Sequence, residues 1–158
     1  MIRILTEALR GMGAHTNQGK ITACLTPDEE RRQPTEDARS CWEILYHLVY
    51  WQDITLDLLK GKDVDMEVAM KHTWPERSDL EDDERWPQLI ERYRDGLVEL
   101  RDILYSRELE EIVKIYDASI AQTVLVTAQH NSYHLGQLVD TRRLLGMWPP
   151  ENTQCWFI

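Results

Sequence analysis

Two histidines, His130 and His134, stand four residues apart in a stretch of helix-forming residues. At 3.6 residues per turn that spacing puts both imidazoles on one face, one turn apart. Such a pair can chelate one divalent ion. A lone His-x-x-x-His is weak evidence, however, and needs a third ligand from another element. His47 is the candidate: it lies between Ile44 and Trp51 on an apolar helical sector, where an unpaired imidazole would be costly to bury. A hydrogen bond would satisfy that imidazole as well as a metal would, so His47 taken alone leaves both readings open. Three neutral imidazoles with an open position suit one divalent metal ion, Zn²⁺, Ni²⁺ or Fe²⁺, with zinc favoured. Three protein ligands plus water is the arrangement of a catalytic site, whereas structural zinc is closed by four. The ion would lower the pKa of bound water or of a bound thiol.

Other groups offer less. His15 sits at the edge of the first helix's apolar stripe, where it is either a proton shuttle facing the ion or a partly exposed helix residue. His72, in a polar connection beside Trp74, reads as solvated. Asn131 and Gln137 flank the ligands and could donate hydrogen bonds to them, or could make ordinary interhelical bonds. Glu43 and Asp53 read as a helix cap and a surface charge. The sequence has no Ser-His-Asp arrangement, phosphate-cradling glycine loop or Cys-x-x-Cys.

Four helices would have to position these residues. Leu5, Leu9, Met12, Thr16, Gly19 and Ala23 predict a first helix over 2–24, weakened by Gly11, Gly13 and Gly19. Ser40 and Glu43 form a capping-box signature for the second. Its stripe is Ile44, His47, Leu48, Trp51, Thr55 and Leu58, and Gly61 is its stop. The polar connection 62–84 holds Trp74-Pro75 and is long for a helix-to-helix link, which makes it a lid, a crossover or a packed surface loop. A third helix opens near Asp83 with Pro87 in its first turn, and buries Leu89, Tyr93, Leu97, Leu100 and Leu104. Residues 106–116 fit a short helix or an irregular crossover. The fourth and longest helix runs over 118–145 and is ended by Gly146 and Pro149-Pro150. The tail 151–158 is expected to pack back on the bundle. No segment alternates with period two. The pattern predicts an all-α fold, an up-down-up-down four-helix bundle in a single domain over 1–158.

Composition narrows the function. A chain of 158 residues, 42% apolar, builds one sizeable core. A net charge of −10 argues against nucleic acid and anionic membranes, which are bound through clustered cations. Without a run of 18 apolar residues no membrane span is expected, and without a signal-peptide stretch the default location is cytoplasmic. Cys24, Cys41 and Cys155, an odd count at wide spacing, suggest free thiols in a reducing compartment.

The segment 42–52, Trp-Glu-Ile-Leu-Tyr-His-Leu-Val-Tyr-Trp-Gln, resembles the second-helix motif of DinB-like (YfiT-like) metal-binding four-helix bundles. His130-Asn131-Ser132-Tyr133-His134-Leu135-Gly136-Gln137 is similar to their fourth-helix HNxxHxGQ motif, and 142–150 is similar to the ending of one branch. The resemblance covers most of the chain and implies that His47, His130 and His134 are a metal triad. Members of that family include thiol-dependent S-transferases and isomerases that are thought to hold a low-molecular-weight thiol on the metal as thiolate; others have no known activity. The implied function is a metal-dependent transferase or hydrolase acting on a small-molecule substrate, with a thiol as co-substrate. The alternatives are a stress-response bundle that binds metal or ligand without turnover, and a structural bundle whose histidines never meet a metal. The substrate is left open, as is assembly into a homodimer.

Overall fold

A computed structural model describes residues 1–75 and 86–150. In order, its elements are α1 Ile2–Leu9, α2 Gln18–Thr22, α3 Pro27–Arg31, α4 Cys41–Leu59, α5 Met66–Lys71, α6 Trp86–Ser106, β1 Ile112–Val113, β2 Ala118–Ser119 and α7 Ile120–Leu144. The fold is all-α apart from one small hairpin.

Helix α4 begins as its sequence dictates. Ser40 Oγ accepts the Glu43 amide (3.2 Å), and the Glu43 carboxylate accepts the Ser40 amide (2.8 Å). Both are amides that the first turn would otherwise leave unpaired. Helix α7 opens on a second capping box, Ser119 with Gln122. It starts two residues later than its periodicity suggests, because Ala118 and Ser119 pair antiparallel with Val113 and Ile112. Two-residue strands are too short to show alternation, so the segment 106–116 carries no readable strand signal.

The predicted first helix is broken. Residue Gly11 adopts φ 64°, its amide bonds Ala8 O (2.9 Å), and the Met12 amide reaches back to Glu7 O (3.0 Å). This closes α1 with a Schellman motif, which the apolar stripe could not reveal. The turn is also sterically specific: a Cβ on Gly11 would lie 2.1 Å from the His15 ring. The polar connection likewise contains a helix, α5, capped by Asp65. The predicted start of the third helix at Asp83 and the tail 151–158 lie outside the described residues.

Two apolar clusters form the core. One joins Leu5 and Leu9 of α1, Leu56 and Leu59 of α4, Leu100 and Leu104 of α6, and Ile120 and Val124 of α7. The other joins Trp42, Leu45 and Leu48 of α4, Leu89 and Tyr93 of α6, and Leu135 and Leu138 of α7, with Ile21 of α2. The start of α4 thus shares a cluster with the start of α6 and the end of α7. Helices α4 and α6 therefore run parallel, with α7 antiparallel to both. Asp53 pairs with Arg92, and Lys60 with Glu99, in the same parallel register. This corrects the up-down-up-down expectation: the long connection is a crossover that returns the chain to the end from which α4 began. The close approach of α4 and α6 is made at Gly96, where an added Cβ would lie 2.0 Å from Gln52 Nε2, and that amide donates to the Tyr93 carbonyl (3.0 Å).

At the other end Arg142, 1% exposed, ties α7 to α2. Its Nη1 donates to Ile21 O (2.6 Å) and Ala23 O (2.9 Å), and its Nε donates to Met147 O (3.3 Å). Cys41 is a free, buried cysteine whose thiol burial pushes up to about 12. Cys24 is not free, as its sequence spacing had suggested, but disulfide-bonded, since separation along the chain does not limit proximity in space. The free-thiol argument for a reducing compartment therefore fails at Cys24, and Cys155 lies outside the described residues. Among the described residues no helix is long and apolar enough to cross a membrane.

Candidate metal centre

Buried polar side chains accompany the apolar clusters: His47 and Gln52 on α4, and Asn131 and His134 on α7. Antiparallel packing of α4 on α7 brings His47 against the His130–His134 turn. His47 Nε2 lies 3.2 Å from His130 Nε2. One ligand nitrogen from each of His47, His130 and His134 falls within 4.8 Å of the others, and among the described residues this is the single group of histidines, cysteines and carboxylates so arranged.

The outer nitrogens fix the tautomers. His47 Nδ1 lies 2.8 Å from the Thr73 carbonyl, and His134 Nδ1 lies 2.7 Å from Gln137 Oε1. A carbonyl oxygen only accepts, so each Nδ1 carries the proton and each Nε2 turns a lone pair inward. Burial, followed by His134 and His47, lowers the pKa of His130 to about 4; burial is also the main cause at His47, where it outweighs the hydrogen bond to the Thr73 carbonyl and brings the value likewise to about 4. Burial lowers that of His134 too. All three imidazoles are neutral at pH 7, and His47 and His134 each turn an Nε2 lone pair toward the cluster. A cation satisfies that arrangement. The donor set is three neutral nitrogens and no carboxylate, which fits a borderline divalent ion such as zinc.

The segment after α5 holds the site from outside, and sequence reasoning missed it. The Trp74 indole stacks on the His47 ring with centroids 4.0 Å apart, and the Arg39 guanidinium sits 4.7 Å from the Trp74 ring. Trp51 Nε1 donates to Thr73 Oγ1 (2.7 Å), which fixes the residue whose carbonyl orients His47. The available signal was a Trp-Pro pair inside an otherwise polar connection. Arg39 is itself placed by Glu43 (2.7 Å). Burial raises the Glu43 carboxyl, but hydrogen bonds from the Ser40 amide, Arg39 and Gln33 outweigh it and hold the group below its usual range.

The remaining candidates separate from the centre. His15 lies in the α1–α2 loop, donates Nδ1–H to Thr16 O (2.8 Å) and meets Ser132 Oγ through Nε2 (3.3 Å). His72 caps α5, bonds Val68 O and is exposed, as expected. Gln137 meets the candidate ligand His134 as an acceptor and not as the expected donor. Asn131 makes no such donation, since its Nδ2 has no partner among the described residues. Asp53 is a surface charge paired with Arg92, as read from the sequence.

A family model described as the DinB superfamily matches residues 14–138, a span that contains all three histidines. No curated protein and no solved structure matches the chain.

Proposed function

Because the chain belongs to the DinB superfamily, we propose that His47, His130 and His134 hold one divalent ion, zinc by preference, at the centre of a metal-dependent transferase or hydrolase acting on a small molecule. The observation that supports this most is the inward pair of lone pairs, fixed by Thr73 and Gln137, beside a third imidazole. An ion held by three neutral imidazoles would keep its full charge and would favour an anionic partner such as a low-molecular-weight thiol in its thiolate form. The metal would supply this acidification; the chain supplies orientation and exclusion of water. Trp74 and Arg39 cover the His47 side, so a substrate approaches from elsewhere, and the indole limits water at the ligand ring.

Elemental analysis of untagged protein tests the first part: close to one ion per chain is expected, and a site that no added Zn²⁺, Ni²⁺ or Fe²⁺ fills refutes it. The second part is tested with cobalt in the site. A small thiol should add a thiolate-to-metal band in the near ultraviolet, which His134→Ala abolishes and Cys41→Ser leaves alone. A cobalt spectrum indifferent to thiols rejects the thiol chemistry and leaves hydrolysis or metal binding without turnover.

A further inference from the structure

A recess of about 400 Å³ opens between α1, α2 and α6, and it shares no lining residue with the histidine cluster. That volume lies in the range of small-molecule sites. Leu9, Ile90, Leu97 and Val98 supply apolar lining, and three arginines, Arg10, Arg94 and Arg101, also line it. Three cations around one recess stand out on a chain of net charge −10.

Several polar groups of the lining are already committed. Thr6 Oγ1 donates to Ile2 O (3.0 Å), Thr22 Oγ1 to Gln18 O (3.1 Å) and Gln18 Nε2 to Leu9 O (2.8 Å). Arg101 is turned onto Asp102 (2.7 Å). The uncommitted groups are chiefly donors. Arg10 and Arg94 make no ion pair among the described residues. Uncommitted guanidinium groups call for acceptor atoms carrying negative charge, and the leucine and isoleucine lining calls for an apolar body.

We propose that this recess binds a small organic acid, its carboxylate or phosphate held by Arg10 and Arg94, and its hydrocarbon part against Leu9, Ile90 and Leu97. The site lies apart from the metal centre and does not depend on it.

Calorimetric titration of the full chain, stripped with EDTA so that no acid can bind through a metal, tests this. The probes are octanoate, octyl phosphate, octanol, octylammonium and phosphatidylglycerol vesicles. Octanoate or octyl phosphate should bind once per chain, octanol roughly tenfold more weakly, and octylammonium not at all. Arg10→Ala and Arg94→Ala, both at exposed positions that leave the core intact, should each weaken the acid about tenfold while leaving octanol unchanged. The proposal is overturned if octanol binds as tightly as the acids, if both arginine variants bind acid normally, or if no probe saturates at millimolar concentration. It is equally overturned if vesicles bind and the soluble acids do not, which would move the cations to a membrane surface.

Discussion

The Trp74 indole lies flat on the His47 imidazole, with centroids 4.0 Å apart and planes within 12°. A side chain from the crossover connection is thereby fused to the proposed ligand set, so occupancy of the centre should be visible in the indole. Titration with Co²⁺ or Ni²⁺ is expected to quench tryptophan fluorescence, and Trp74→Phe should remove the largest share of that quench while metal stoichiometry stays the same. Equal quenching in the variant would show that the stack does not report on the site.

Gln137 accepts from His134 Nδ1 at 2.7 Å and holds the tautomer that turns Nε2 inward. Gln137→Leu keeps the helix and removes that acceptor. Metal affinity, measured against a competing chelator, should fall about 10- to 100-fold with helical content unchanged. An unaltered affinity would mean that packing alone orients the ring.

Protons should destabilise the metal-free protein in a defined window. His47 and His130 titrate at about 4 in the folded state because burial penalises the imidazolium. The unfolded chain takes up its protons near 6.5. Between these values the unfolded state binds more protons, so stability falls as pH drops from about 6.5 toward 4 and is full above that window. The slope approaches about 1.4 kcal/mol per pH unit for each imidazole. Urea unfolding of EDTA-treated protein should show this dependence, and His130→Gln should flatten it. A pH-independent midpoint across the window would contradict the burial of neutral imidazoles.

Arg142 serves three carbonyls, one on α2 and one on the residue that ends it, from a position 1% exposed. A lysine keeps the charge but lacks the planar fork that reaches all three. Arg142→Lys should lower the unfolding free energy by about 2–4 kcal/mol in urea, with metal content unaffected. Loss of metal alongside the stability would show that this end of α7 also governs the centre.

Local chemistry made much of the protein legible. The Ser40–Glu43 capping box, the helical spacing of His130 and His134, and the apolar stripe around His47 are short-range patterns, and the helices and candidate ligands follow from them. The break of the first helix at Gly11 was less legible, because an apolar stripe runs across it and the left-handed turn is sealed by His15 packed on the glycine. The parallel run of α4 and α6 was not legible at all. Helix direction depends on where a long connection returns the chain, and periodicity carries no sign of it. The partners of the candidate ligands were hidden for the same reason. The Thr73 carbonyl is chemically like every other carbonyl, and Trp74 is one of six tryptophans. Only packing brings them within 4 Å of an imidazole 26 and 27 residues earlier in the chain. The residue types of the centre belong to the sequence; their protonation, orientation and cover belong to the tertiary structure, because those depend on neighbours that the chain places beside them only when it folds.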